Sequence, residues 1–204
     1  MDEENYFLLE NVKKKYVTWL ILAINVVAYF VSVIIGEKVF IAGNFNVSDV
    51  LEKQEYYRLL SSIFLHSGID HIVGNMIFVV VLGEMLEQEI GHVRFAVVYL
   101  LSGIGGNLFS LLSEITSETF YYSVGASGAA CGIMGALLVL VLQNQGRYKH
   151  ISLRRMLFAI FYLIYTGVNS PEVNNAGHVG GLAIGLLVMA LLAFIPQHKQ
   201  EQDA

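Results

Sequence analysis

"VTWLILAINVVAYFVSVII", residues Val17–Ile35, runs for nineteen positions without one charged side chain. A helix crossing the bilayer core needs about 20 predominantly apolar residues, and this stretch has that length. It follows Lys13, Lys14 and Lys15, so a signal peptide is the competing reading. The run exceeds a typical signal core, and no small-residue cleavage pattern follows it, so it reads as a retained first span.

Working outward, five further apolar segments follow at Ile69–Leu86, His92–Leu112, Val124–Leu142, Leu153–Val168 and Asn175–Ile195. The composition agrees: 55% of the 204 residues are hydrophobic and 14% are charged, against about 25% charged in soluble domains. The expectation is an all-α polytopic membrane protein, a six-transmembrane-helix bundle over residues 17–195. Polar tails at 1–16 and 196–204 flank it. The connection from Gly36 to Ser67 is only half polar. Its "VFIAGNF" and "YYRLLSSIFLH" pieces are expected to rest in the interface, where Tyr and Arg favour the headgroup depth. The single cysteine, Cys131, excludes an internal disulfide framework. No basic surface suggests a nucleic-acid partner; the lipid bilayer is the expected environment.

Six spans put both ends on one side. Lys13, Lys14, Lys15, Arg94, Arg147, Lys149, Arg154, Arg155 and Lys199 fall on that side, against Lys38, Lys53 and Arg58 on the other. The positive-inside bias places both termini in the cytoplasm. Spans two, four and six then start at the outer level. His71 and Asn75 lie near the start of span two, Ser127 of span four and His178 of span six. Each is expected about 5–10 Å inside its helix start, at 1.5 Å rise per residue.

Ser127 lies in "VGASGAACG", among small residues. Ser127, Gly128, Gly132 and Gly135 could be a helix-packing seam and nothing more, or Ser127 could be a nucleophile, which needs a base and an oxyanion site. "NNAGHVGGLAIGLL" offers His178 as the base, and an ionisable group inside a span is a functional hypothesis by default. Gly181 and Gly185 lie three and seven residues beyond it, on the same helix face. Span four offers Cys131 and Gly135 below Ser127, and pressing the two seams together would bring hydroxyl and imidazole near each other. His71 and Asn75, four apart, share a face. They read either as interhelical polar contacts or as donors to a developing oxyanion. Asp70 is expected to cap the second span. No acid is placed to complete a triad, so a Ser–His dyad is the economical assignment. His66 and His71 are a weak metal signal without H-E-x-x-H, and paired intramembrane aspartates are missing. No metal and no cofactor are expected.

Together, "HSGIDHIVGNM" (His66, His71, Asn75), "GASG" (Gly125–Gly128) and "AGHVGGLAIG" (Ala176–Gly185) resemble the motifs of rhomboid intramembrane serine proteases in their minimal six-span form. "YYRLLSSIFLH" resembles the family's Trp-Arg loop, with Tyr57 before Arg58 in place of tryptophan. "GHVRFAVVYLLSGIGG" is similar to the start of the family's third span. The resemblance implies Ser127 as nucleophile, His178 as general base and acid, and His71 and Asn75 as oxyanion-hole donors. It implies transmembrane segments of membrane proteins as substrates, cleaved near the outer face of a plasma membrane after small residues. It also implies that span five and "VNSPEVNN" act as gate and cap. One departure is Cys131, where the family often has a tyrosine stacked on the histidine. The competing expectations are a non-catalytic rhomboid-like protein that binds transmembrane helices, and an unrelated transporter. A transporter would more commonly show repeats or broken helices, and neither is visible.

Overall fold

The computed structural model describes residues 15–168, 170 and 173–195. Residues 1–14 and 196–204 of the expected tails, with Lys13, Lys14 and Lys199, lie outside the described residues, as do positions 169, 171 and 172 of the "VNSPEVNN" loop. Along the chain come α1 (Tyr16–Ile35), three short helices α2 (Glu37–Gly43), α3 (Val47–Leu51) and α4 (Arg58–Ser61), and a 3-10 turn (Ser62–Phe64). They are followed by α5 (Ile69–Ile90), α6 (His92–Ser117) and α7 (Ser127–Gln143). A hairpin of β1 (Arg147–Tyr148) and β2 (Ile151–Ser152) leads to α8 (Leu153–Val168) and α9 (Asn175–Leu192).

This is an all-α polytopic membrane fold. Helices α1, α5, α6 and α9 are long and apolar enough to cross a membrane. The remaining two long helices, α7 with 17 residues and α8 with 16, correspond to the fourth and fifth expected segments but are shorter than a full crossing. Large apolar side chains cover the outer surface, Phe30, Ile77, Phe158 and Leu191 among them, as lipid contact requires.

Helix α7 is the hub. Nearly every residue from Ala129 to Val141 is buried, which suits a helix apolar on all sides and enclosed by its neighbours. It packs most extensively on α9, and α9 in turn on α6. The α7–α9 contact is backbone on backbone. A Cβ added to Gly181 would stand 2.0 Å from the Gly128 carbonyl oxygen, and one on Gly185 2.0 Å from that of Gly132. From the other side, a Cβ on Gly135 would lie 2.2 Å from the Leu182 oxygen. The seam on α7 is thus Gly128, Gly132 and Gly135. The expected alignment of Cys131 with it is corrected: one position earlier than Gly132 turns Cys131 by about 100°, toward α8.

Two polar clusters fix the periphery. The Glu87 side chain, fully buried in α5, accepts from Val17 N (2.9 Å), Thr18 N (2.8 Å) and Thr18 Oγ1 (2.6 Å). It also meets His92 Nδ1 at 2.6 Å. A carboxylate on unpaired amides at the start of α1 is where the helix dipole favours it. On the opposite side, Arg58 is enclosed by its own connection. It is 5% exposed and pairs with Glu55 (2.5 Å) and Asp49 (3.4 Å). It also donates to the Ile41 and Asn44 carbonyls at 2.7 and 2.9 Å. The connection is a folded unit tied around a guanidinium, because five fixed donors can hold several acceptors at once. Tyr57 donates to the Ala42 carbonyl at 3.0 Å. Asp70 is not the α5 cap either: Gly68 occupies that position, and Asp70 lies in the first turn without a capping hydrogen bond.

Candidate active site

Three helix starts and one loop build the site. Ser127 is the first residue of α7, not deeper in the helix as expected, because the chain remains non-helical through Ala126. Gly125 precedes it with φ +126°, a conformation L side chains rarely adopt. The fit is also steric. A Cβ there would stand 2.8 Å from the His71 ring and 3.3 Å from Asn75 Nδ2. Gly125 N donates to the Ser62 carbonyl at 2.9 Å, so the loop before the serine is held on the 3-10 turn.

His71 and Asn75, on α5, therefore cover the loop that delivers Ser127. His71 Nδ1 lies 3.0 Å from Ser67 Oγ; with the hydroxyl donating, Nε2 carries the proton toward Gly125. Asn75 is buried, and its Nδ2 has no hydrogen-bond partner among the described residues. An amide donor buried without an acceptor is costly, and a carbonyl oxygen entering the cavity would satisfy it. His66, outside the helices, stacks edge-on against His71 at 5.2 Å between centroids. Burial, and then the nearby His71, pushes its pKa down to about 4, so it is neutral at physiological pH.

His178 is the fourth residue of α9. Asn174 fixes that helix start: its Oδ1 accepts from Gly177 N and from Ser110 Oγ, both at 2.8 Å. Its Nδ2 donates to Ser123 Oγ at 3.0 Å. Sequence reasoning missed Asn174, although asparagine ahead of an apolar helix is a capping signal. Below the ring, Cys131, Met134, Leu163 and Leu182 line an apolar void of about 10 Å³ with His178. His178 Nδ1 is buried without a partner among the described residues.

Ser127, His178, His71 and Asn75 all line one cavity of about 960 Å³, which extends past Phe78 and Glu114 to α8 at Leu163 and Gly167. Ser127 and His178 also share a second, polar cavity of about 30 Å³ with Ser62, Asn107 and Asn174. No hydrogen bond joins the two side chains to each other. The motif glycines Gly128, Gly181 and Gly185 lie in the seam beneath. Among the described residues no group of three or more His, Cys, Asp or Glu is arranged to hold a metal.

Residues 53–194 match the family profile described as Rhomboid domain. The chain belongs to the rhomboid family. "RHOMBOID-like protein 1" of Arabidopsis thaliana is 38% identical over 158 residues, 76% of this chain and 39% of that protein. "Rhomboid protease GluP" of Bacillus subtilis (strain 168) is 30% identical over 179 residues, 86% of this chain and 34% of its own length. "Inactive RHOMBOID-like protein 8" of Arabidopsis thaliana is 33% identical over 159 residues, 78% of this chain and 44% of the relative. The chain spans less than half the length of each of these rhomboid relatives, and they include both a protease and a protein named inactive.

Proposed function

We propose that this rhomboid protein is an intramembrane serine endopeptidase, with residues 17–195 as its protease unit. The observation that carries the reading is the convergence of Ser127, His178 and the His71–Asn75 pair on one cavity from three different helices. Ser127 Oγ attacks the substrate carbonyl carbon while His178 takes the hydroxyl proton. The oxygen gains negative charge and is met by Asn75 Nδ2 and the His71 ring, and such donors are worth about 3 kcal/mol each in a dry site. His178 then passes the proton to the leaving amine. Water repeats the cycle on the acyl-enzyme, releasing the carboxylate and restoring the serine. The substrate is a transmembrane segment of another membrane protein, unwound locally so that its peptide bond reaches the serine, with α8 as the movable wall. The charge bias supports cytoplasmic termini and a site toward the outer face, and the minimal six-span form supports a plasma-membrane location.

The inactive relative motivates a second reading, a rhomboid that binds transmembrane helices without cutting them. One experiment separates the two. Wild-type protein in detergent should be labelled by a fluorophosphonate and should cleave a transmembrane peptide. Ser127→Ala and His178→Ala should do neither. Equal labelling of all three proteins discards the dyad, and intact wild type that never labels supports the binding reading.

A further inference from the structure

Glu114 occupies a position unfavourable to a carboxylate in three respects. It is 4% exposed. It sits in the last turn of α6, the negative end of the helix dipole. Its one hydrogen bond among the described residues comes from the neutral Tyr121 N–H, at 3.1 Å. No ion pair joins it there, and a buried charge without a partner is expensive. Yet it borders the cavity that holds Ser127. Among the described residues the exposed Asp70 of α5 is the only other acid lining the cavity, and no lysine or arginine lines it. The same cavity holds the unpartnered Asn75 amide, which itself points to a peptide carbonyl as occupant.

The depth of Glu114 can be read along α6. Gly106 touches the Gly177 carbonyl, where a Cβ would stand at 2.7 Å, and so marks the level of Ser127 and His178. Glu114 is eight residues further on, about 12 Å toward the outer surface. An extended peptide covers that distance in about four residues.

We infer that Glu114 is a specificity-determining residue that takes a lysine or arginine of the substrate, about four residues to the outer side of the cleaved bond. This rests on reading the cavity as a peptide site. The arriving ammonium or guanidinium supplies the countercharge that the fold leaves out. Asp70 adds negative charge to the same lining; Glu114 holds the cation. The bond to Tyr121 alone would make Glu114 a loop anchor, and the two roles differ in whether the substrate's charge matters.

The test uses the full chain in nanodiscs and three labelled transmembrane peptides that differ at that one position, Lys, Ala or Glu. Binding is followed by anisotropy and cleavage by gel. Wild type should prefer Lys over Ala about tenfold in Kd and in kcat/KM, the scale of a partly desolvated ion pair. Glu114→Gln should bring the ratio to about one, and Glu114→Lys should transfer the preference to the Glu peptide. No preference in wild type, or an unchanged ratio in Glu114→Gln, overturns the assignment. If the variants fail to fold, wild type alone decides. It should bind and cleave the Lys peptide best and the Glu peptide worst, and a Glu peptide taken as well as the Lys peptide counts against the pairing. A binding preference without hydrolysis would remove the protease reading and leave Glu114 in place; hydrolysis without preference would do the reverse.

Discussion

His66 shows how one buried side chain sets a condition on the fold. Its imidazole is held neutral, with a pKa near 4 against 6.5 in the open chain. The unfolded chain therefore binds the proton more readily. Its contribution to stability is whole above about pH 6.5 and is lost as pH falls toward 4, after which protonation no longer favours unfolding. Thermal unfolding followed from pH 7.5 to 4 should show a falling midpoint, and His66→Phe should flatten that slope. A slope identical in both proteins would assign the acid sensitivity to another group. Gly125 makes a second point at this scale. Gly125→Ala combines a strained φ with a side chain 2.8 Å from the His71 ring. It should reduce turnover by at least about tenfold while leaving the α7–α9 seam untouched.

Between elements, the decisive contacts are the glycine seam and Glu87. Gly181→Ala drives a methyl into the Gly128 carbonyl at 2.0 Å, and a backbone atom cannot step aside as a flexible side chain can. The helices must part, moving His178 away from Ser127, and a displacement of about 1 Å can cost about 100-fold in rate. Loss of turnover with retained helicity by circular dichroism is the expected outcome; full activity would mean that the seam does not set the catalytic distance. Glu87→Ala removes the acceptor for two amides, a hydroxyl and an imidazole at once. About 3 kcal/mol of stability should go with it, read as loss of α1 docking in denaturant titrations. The Glu87 cluster was invisible in sequence because its α1 partners, Val17 and Thr18, lie 70 and 69 residues away. Cys131 was assigned to the wrong face for a simpler reason: a seam with spacings of four and then three cannot be told by eye from one shifted by a residue.

At the scale of the whole molecule, orientation and enclosure can be measured together. The one cysteine, Cys131, is 2% exposed, and in the folded protein it should resist a membrane-impermeant maleimide from either side. That leaves a background for single-cysteine mapping. Glu118→Cys should label only from outside and Lys149→Cys only from the cytoplasm. The reverse pattern would invert the topology and place the cavity on the other membrane face.

Four membrane-crossing helices were legible, in stretches such as Val17–Ile35, because the bilayer imposes one crude requirement, length with little charge; α7 and α8, at 17 and 16 residues, do not meet it by themselves. The candidate site was legible as residue types at matching helix starts, since Ser127, His178, His71 and Asn75 each stand out against apolar neighbours. Their convergence was decided by the fold alone. It depends on the rotational setting of α7 against α9, on the positive φ of Gly125 and on the Asn174 cap, all of which bring distant positions together. The buried solitude of Glu114 belongs to the same class: a sequence records that a charge is present, and only packing determines whether anything answers it.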